Sequence, residues 1–317
     1  MSFLGIDGGG SQTRALLCDA SGQILGRGLS GSTNPRSTPA PEWRGHLLDA
    51  IRAACGDIDP SGIRAAHLGV AGAGEASVRE RVAEAARELL RGESTRITVS
   101  HDLEAALEGG LPGEPGIVLV AGTGSACFGR NADGMKAEAG GWGDLVDDAG
   151  GGGWLGLRAL QACARQADGR LPKSALSGKV LAHLGIGSMA GFKTRIHGHG
   201  LSRRERAQLA AVVLGAAEAG DAAAGAIVAD AVDELRQLAA SVARQLALPR
   251  ADIVVCGGLG GHGGFKAALA EALRAEGMAV VPARMSAAAG AVLLAIQSAG
   301  MSPGGEAISR LSAASGA

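Results

Sequence analysis

The sequence predicts an α/β protein with two domains of related design, and three observations support this. The 317 residues are enough to bury two hydrophobic cores. Short apolar runs alternate with stretches of helical periodicity along most of the chain. A strand, a glycine-rich turn and a second strand occur at residues 2–19, and the same arrangement recurs at 116–130.

The first half begins with three short strands and then alternates strand and helix. Glycine-rich and Ser-Gly turns separate the apolar runs, and Leu47, Leu48 and Ile51 recur at the spacing of one helix face. The predicted elements are strands at 2–7, 14–19 and 23–29, a helix at 43–55, a strand at 65–72, a helix near 75–91, a strand at 96–100 and a helix from about 103.

The second half repeats this pattern after the Pro-Gly segment LPGEPG. We therefore predict an N-terminal domain of residues 1–114 and a C-terminal domain of 115–285. A last helix, at about 286–300, is expected to pack back on the first domain, and the segment from Pro303 is expected to fray. Beyond the paired strands of 116–130, the predicted elements are helices at 155–167, 205–219 and 221–247, a strand at 252–256, a helix at 265–277, a strand at 278–283 and a helix at 286–298.

Composition narrows the classes of function. Aromatic residues make up 2% of the chain and tyrosine is absent, which argues against stacking on single-stranded nucleic acid. The 30 basic and 31 acidic residues favour neither nucleic acid nor an anionic membrane as a partner. No signal-peptide pattern and no apolar stretch of membrane-spanning length is visible, so we expect a cytoplasmic protein. The five cysteines lack CxxC or zinc-type spacing and are expected to be reduced.

Two glycine-rich turns are candidates for phosphate binding. The chain after GIDGGGSQTR (5–14) continues at strand spacing and not as a helix, which indicates a β-hairpin and not a dinucleotide-binding turn. Glycines at such a tip let backbone N–H groups approach an anion closely. AGTGSACFG (121–129) has the same character. Their equivalent places in the two halves suggest facing loops that hold one polyphosphate.

A third glycine cluster, CGGLGGHGGF (256–265), formally matches GxGxxG between a strand and a helix. However, no acidic residue ends the following strand to hold a ribose, and too little chain remains for a complete dinucleotide fold. A Gly-Lys-Ser/Thr sequence is also missing, which excludes a Walker A loop. We interpret the cluster as a flat glycine surface that supports an adenosine.

Six segments together resemble the BadF/BadG-type ATPase family, and within it the N-acetylglucosamine and glucosamine kinases. The segments are GIDGGGSQTRA (5–15), GSTNP (31–35), SHDLEAALEGG (100–110), IVLVAGTGSACFGR (117–130), GGWGDLVDDAGGGGWLGLRAL (140–160) and IVVCGGLG (253–260). Their order and spacing cover nearly the whole chain. The resemblance implies a two-domain actin-like ATPase (ribonuclease H-like) fold with a nucleotide cleft between the domains, and ATP and Mg²⁺ as cofactors.

The resemblance also implies roles for individual residues. Asp7 would hold Mg²⁺ through water and Asp102 would be the general base. Gly257 and Gly258 would flank the adenosine. The first phosphate loop would comprise Gly8, Gly9, Gly10, Ser11 and Thr13, the second Gly122, Thr123 and Gly124, and the sugar would contact Asn34, Asp102, Thr123 and Asp148.

Several of these residues also have plain structural explanations. Asp102 stands where a helix N-cap is expected, Asp7 could be a strand-end turn residue, and Asn34 before Pro35 is a typical turn former. The acidic run 144–148 would ordinarily be a solvated loop, and RRER (203–206) is interpreted as a solvated helix start.

One departure from the family pattern affects the substrate. Ala149 stands where kinases of this group commonly have Glu, which leaves a sugar contact and hence the identity of the sugar open.

The predicted function is an ATP-dependent kinase that converts N-acetylglucosamine to N-acetylglucosamine 6-phosphate. Glucosamine is the alternative sugar. A further alternative, from another functional class, is an ATPase that activates a reductase or dehydratase. Proteins of that kind typically bind an iron–sulfur cluster. A sugar sensor with a vestigial nucleotide site is a third. Besides ATP and an amino sugar, the only partner considered is a second copy of this chain in a homodimer.

Overall fold

A computed structural model describes residues 1–315, which form two compact units. Unit 1 consists of Met1–Glu114 together with the chain from Pro282 onward, and unit 2 is Pro115–Val281. The strands are β1 (Ser2–Gly8), β2 (Thr13–Asp19), β3 (Ile24–Ser30), β4 (Ile63–Val70), β5 (Arg96–Ser100), β6 (Gly116–Ala121), β7 (Ser125–Arg130), β8 (Lys136–Gly140), β9 (Ala251–Cys256) and β10 (Met278–Val280). The α-helices are α1 (Ala40–Cys55), α2 (Ala76–Arg87), α3 (Asp102–Gly110), α4 (Gly152–Ala167), α5 (Ala175–His183), α6 (Met189–His199), α7 (Arg203–Glu218), α8 (Ala222–Gln245), α9 (Gly263–Ala275), α10 (Ala287–Ser298) and α11 (Gly305–Ser315).

Unit 1 contains a five-stranded sheet in the order β3-β2-β1-β4-β5. The first three strands form an antiparallel meander, whereas β1, β4 and β5 run parallel. Ile6 in β1 lies between Ala15 of β2 and Leu68 of β4. Because parallel strands end at the same edge, the carboxyl ends of β1, β4 and β5 lie at one edge together with the tip of the β1–β2 hairpin.

Apolar side chains cover both faces of this sheet. One core joins the sheet to α1 and α2 around Trp43, Leu47 and Ile51. The other joins it to α10 through residues such as Phe3 and Val292. Gly5 makes the second contact possible, because a Cβ there would collide with the backbone of α10 at Ala288 and Val292.

Unit 2 repeats the design with the sheet order β10-β9-β6-β7-β8. Strands β6, β7 and β8 are antiparallel, and β6, β9 and β10 are parallel. The core includes buried residues of α4, α7, α8 and α9 around Leu119 and Ile253. In both units an antiparallel meander is therefore extended by parallel strands.

The predicted α/β class is confirmed, and three additional elements lie in unit 2. The short edge strand β8 and helices α5 and α6 occupy segments for which no element was predicted. The expected fraying from Pro303 is wrong for residues 305–315, because α11 forms there and buries Leu311 completely. Residues 316 and 317 of that segment lie outside the described residues.

Within the described residues, no single helix combines the length and apolar character needed to cross a bilayer. The joined pair α7 and α8 meets that criterion only as a pair bent by 116°.

Candidate active site

The tip of the β1–β2 hairpin is shaped by glycines. The Gly9 N–H donates to the Gln12 carbonyl at 2.9 Å and closes the turn. A Cβ on Gly8 would collide with the Thr33 hydroxyl, and one on Gly9 would lie 2.9 Å from the Gln12 carbonyl oxygen. Gly10 and Ser11 are exposed at the tip, so their backbone groups can be reached by an anion.

The buried side chain of Thr13 stabilises the base of this hairpin. Its side chain is fully buried, and its hydroxyl donates to the Gly31 carbonyl at 2.7 Å and contacts the Thr33 hydroxyl at 3.0 Å. The side chain therefore fixes the base of the hairpin to the chain after β3. The predicted phosphate contact of Thr13 stays a prediction, and its hydroxyl is engaged by Gly31 and Thr33.

Asp7 is the penultimate residue of β1, at the edge where the parallel strands end. Its Cα is paired with Arg14 of β2 and Gly69 of β4. The pKa of Asp7 is raised to about 6, chiefly by burial and also by the nearby Asp102 carboxylate, while the Arg14 guanidinium 3.9 Å away acts in the opposite direction. The carboxyl group thus lies in an electronegative, partly desolvated place that favours a bound cation.

Asp102 follows β5 as the first residue of α3, and its two oxygens differ. The Leu103 N–H donates to Oδ1 at 3.1 Å, and the Nδ1 atom of His101 lies 2.9 Å from the same oxygen. Within the described part of the chain, Oδ2 has no hydrogen-bond partner. The N-cap of α3 is His101, whose side chain accepts from Leu103 N–H, so the alternative role of Asp102 as N-cap is wrong.

A buried histidine that the sequence did not single out supports the segment before Asp102. His67 of β4 contacts the hydroxyl of Thr98 at 2.8 Å through Nδ1 and that of Ser100 at 2.9 Å through Nε2. Ser100 in turn donates to the carbonyl of His101 at 3.0 Å. This network ties the end of β5 to β4 and so fixes the backbone that presents Asp102.

Asn34 is a turn former, and its predicted sugar contact stays a prediction. Its Oδ1 accepts from the Arg36 N–H at 2.9 Å, as expected for a turn former. Its Nδ2 lies 3.9 Å from the position that a Cβ would take on Gly10, so the amide donor faces the glycine tip. The turn therefore holds the Asn34 side chain with its Nδ2 donor beside the hairpin.

The second glycine loop, Gly122–Gly124, connects β6 and β7. The Gly122 N–H donates to the Gly124 carbonyl at 3.0 Å. The first N–H groups of α4 donate to the loop, Gly152 to the Gly122 carbonyl at 2.7 Å and Gly153 to the Thr123 carbonyl at 2.8 Å. The carbonyls of Gly122 and Thr123 are thus occupied by the helix, and Thr123 is exposed. This arrangement leaves Thr123, with its N–H group and its hydroxyl, in a position to face an anion.

Gly257 brings β9 close to this loop. It has a φ of +100°, and a Cβ there would collide with the Ala121 carbonyl and lie 2.8 Å from the Gly122 nitrogen. Gly258 is different, because a Cβ there would meet nothing within 4 Å. Both glycines are exposed, and their predicted contact with an adenosine stays a prediction.

Asp148 is buried against the second loop. Its side chain is 4% exposed, its φ is +52°, and it is ion-paired with Arg203 of α7. The Gly143 N–H also donates to its Oδ1 at 3.3 Å. Burial raises the pKa of Asp148, with the Arg203 guanidinium and the Gly143 N–H acting in the opposite direction. A Cβ on Gly124 would collide with this carboxylate, so position 124 must be a glycine for Asp148 to lie there.

The interpretation of the basic run as a solvated helix start is only partly correct. Helix α7 begins at Arg203, and Arg204 is exposed. Arg203 and Arg206, in contrast, are ion-paired with Asp148 and Asp144. Arg203 and Arg206 are three residues apart, which places both side chains on one helix face. That spacing was the only sign of the two ion pairs in the sequence.

The residues present fit a magnesium nucleotide. Within the described residues, no group of three or more His, Cys, Asp or Glu side chains could form a metal cage. Mg²⁺ in kinase sites is usually held by one or two carboxylates and by substrate phosphates, so the site around Asp7 suits it. The glycine tip of each hairpin is suited by its own geometry to a phosphate group.

Two α/β units, in each of which an antiparallel meander with a glycine hairpin is extended by parallel strands, define the architecture of actin-like ATPases and the sugar kinases related to them. The chain belongs to the BadF/BadG/BcrA/BcrD ATPase family, whose model matches residues 4–295.

Individual relatives are amino-sugar kinases. The chain is 32% identical over 254 residues to the N-acetylmuramic acid/N-acetylglucosamine kinase of Clostridium acetobutylicum, covering 80% of this chain and 82% of that protein. It is 28% identical over 259 residues to the N-acetyl-D-glucosamine kinase of Dictyostelium discoideum, covering 78% and 81%. The structure of a candidate N-acetylglucosamine kinase from Chromobacterium violaceum matches with a TM-score of 0.70 and 30% identity, covering 92% of this chain and 98% of that one.

Proposed function

We propose that this protein is an ATP-dependent kinase that phosphorylates a hydroxyl group of an amino sugar, with the 6-hydroxyl of N-acetylglucosamine as the first candidate. The observation that carries the proposal is the Asp102 carboxylate, whose Oδ1 is occupied while Oδ2 has no partner within the described residues. A general base needs an oxygen that can reach the proton it removes. The kinase relatives support the same class of reaction.

In the proposed reaction, Asp102 accepts the proton of the sugar hydroxyl while that oxygen attacks the γ-phosphorus of ATP. The new bond joins the sugar oxygen to phosphorus, and the bond to the β-phosphate bridging oxygen breaks, which releases ADP. The glycine hairpins hold the phosphates through N–H groups, and Asn34 and Asp148 orient the sugar. Asp7 would hold a Mg²⁺ ion, which supplies charge neutralisation when bound.

The test is ADP release measured with a panel of sugars. The panel contains N-acetylglucosamine, glucosamine, glucose and N-acetylmuramic acid, the last because of the relative from Clostridium acetobutylicum. We expect amino sugars to be turned over and Asp102→Asn to lower kcat by about 10²–10⁴-fold. Asp57→Asn, an exposed acid in the same unit, serves as the control and should behave as the native protein. Turnover of glucose alone would contradict the substrate class.

The same assay separates the alternatives. Preference for glucosamine would favour a glucosamine kinase, and sugar binding without ADP release would favour a sensor. For an ATPase that activates a partner enzyme, the discriminating measurement is the iron content. Cys18, Cys55, Cys127 and Cys163 are buried, and all five cysteines are free thiols. We therefore expect a colourless, iron-free protein.

A further inference from the structure

The basic first turn of α7 is fixed by a complete capping box. The Ser202 hydroxyl accepts from the Glu205 N–H, and the Glu205 carboxylate accepts from the Ser202 N–H at 2.8 Å. Glu205 also accepts from Arg195 of α6 at 2.8 Å. The start of the helix, and with it the origin of each arginine side chain, is therefore well defined.

Two of the three arginines in this turn face the β8–α4 loop. Arg203 is paired with Asp148, and Arg206 is paired with Asp144. The Nε atoms of both arginines are buried and find no hydrogen-bond partner among the residues that the structure describes. An unpaired buried donor costs free energy, a cost that a merely solvated arginine avoids. Arg204 lies between them in sequence and is exposed.

Asp148 depends on Arg203 more than a surface acid would. Its side chain is almost fully buried, its φ lies in the left-handed region, and the pair is packed against the Cα of Gly124. A buried carboxylate that loses its only cationic partner becomes an uncompensated charge or takes up a proton. The orientation and the charge of Asp148 thus both depend strongly on one side chain of α7.

We propose that Arg203 is a positioning residue for the sugar, because it holds the Asp148 carboxylate against Gly124 as an acceptor for sugar hydroxyls. This inference rests on the proposed kinase function and adds a residue that the family resemblance does not include. Arg206 has a different part, since it neutralises Asp144 and anchors the loop that carries Asp148.

The charged groups around Asp148 support this role. Burial raises its pKa, the Arg203 guanidinium on α7 and the Gly143 N–H lower it, and Asp144 and Asp147 of its own loop raise it. Arg206, also on α7, pairs with Asp144. Without Arg203 only the Gly143 N–H still opposes burial, and the carboxyl group remains protonated to higher pH. A protonated carboxyl group would lose half of its acceptor capacity for hydroxyl hydrogens.

Kinetics with Arg203→Met, Arg203→Lys and the control Arg204→Met test the proposal. For Arg203→Met we expect at least a tenfold higher KM for the sugar, an unchanged KM for ATP, and an acid limb of kcat/KM for the sugar that moves to higher pH. Arg203→Lys should restore most of the loss because it keeps the charge, and Arg204→Met should match the native protein. An unchanged sugar KM, or an equal loss for sugar and ATP, would overturn the proposal.

A second measurement separates failure of this inference from failure of the proposed function. Urea unfolding of Arg203→Met, Asp148→Asn and the double variant is measured without ligands at pH 7.5 and pH 5. We expect the two substitutions to be coupled, and the loss caused by Arg203→Met to be smaller at pH 5 than at pH 7.5, because Asp148, whose pKa burial raises, is protonated to a greater extent at the lower pH. A loss independent of pH and of Asp148 would mean that Arg203 only packs. If coupling is found but no sugar is phosphorylated, the proposed function fails and calorimetric titration with N-acetylglucosamine decides the sugar contact.

Discussion

Asp7 and Asp102 are neighbouring acids with different chemistry. Burial and the Asp102 charge raise the pKa of Asp7 to about 6, whereas Asp102 has an oxygen fixed by the Leu103 N–H and by His101. The first environment suits a group that meets a cation, and the second suits a group that must present one oxygen to a hydroxyl. Placement near the carboxyl ends of two different strands, β1 and β5, therefore separates the roles of two identical side chains.

Asp7→Asn should stabilise the ligand-free protein while abolishing activity. The pKa of Asp7 is raised in the folded state from its ordinary value of 3.8 to about 6, so its ionisation opposes folding above pH 6 and has no effect below pH 3.8. We expect the variant to gain up to about 3 kcal/mol in unfolding free energy at pH 7.5. The gain should shrink steadily between pH 6 and pH 4.

Urea unfolding with EDTA present measures this difference, since any bound cation would lower the cost of the charged form. Asp57→Asn, which changes an exposed acid of the same unit, is the control and should show no such pH dependence. A variant less stable than the native protein at pH 7.5 would contradict the assignment of Asp7 as a strained functional acid.

Individual site residues were predictable to different degrees. The roles of Asp7 and Asp102 came from the family resemblance, and the local sequence adds that Asp7 ends a predicted strand before glycines and that Asp102 stands where a helix is predicted to begin. The Arg203–Asp148 pair joins residues 55 positions apart, and no local pattern states which acid an arginine will meet. The burial of the Thr13 side chain could not be predicted from the sequence either, because it depends on contacts with the chain after β3.

Among the elements, α10 is the one whose packing depends most clearly on glycine. Gly5 of β1 lies against its backbone, and Gly290 of α10 lies so close to α3 that a Cβ would collide with the Ala105 carbonyl and the Gly109 nitrogen. Most of the surface of this helix is apolar, and the helix is buried between the sheet and α3. Two glycines thus set the distances of one helix from its two neighbours.

Gly5→Ala should destabilise the protein by about 1–3 kcal/mol or more, because the added methyl group forces α10 away from β1. Gly45→Ala in α1 is the matched control, since a Cβ there meets nothing within 4 Å. The control should be neutral or gain up to about 1 kcal/mol from its better helix propensity. The test compares the urea midpoints of unfolding of the two variants. Equal midpoints would show that α10 can move away from β1 without a loss of stability.

The elements missed from sequence have identifiable physical causes. Strand β8 has the sequence KAEAG, which has little strand propensity, and it forms because β7 offers it a pairing edge. Helix α5 contains Gly178 and is short, but Ser174 caps it by accepting from the Leu176 N–H. Continuous apolar segments such as β6 and β9 were predictable because a glycine follows each of them closely.

At the scale of the whole molecule, each unit has its own hydrophobic interior. The core around Leu119 and Ile253 draws only on unit 2, whereas the two clusters around Trp43 and Phe3 draw only on unit 1. Stability is therefore expected to be distributed in at least two separable regions.

Hydrogen exchange of the Gly5→Ala variant tests this division. We expect amides of β4 in unit 1 to exchange faster than in the native protein, because the second core of that unit is loosened. Amides of β9 in unit 2 should be unchanged, and Gly45→Ala should leave both peptides as they are. Equal acceleration in β4 and β9 would mean that the chain opens as one cooperative body.

The discontinuity of unit 1 has a consequence for biosynthesis. Unit 2 is a single uninterrupted stretch, whereas the sheet of unit 1 is covered by α10, which begins only at Ala287. During translation the ribosome therefore releases all the strands of the first sheet long before the helix that shields Phe3 and Leu16 exists. The nascent chain must carry an uncovered apolar surface until its last residues emerge, and this interval is where it would depend most on chaperones.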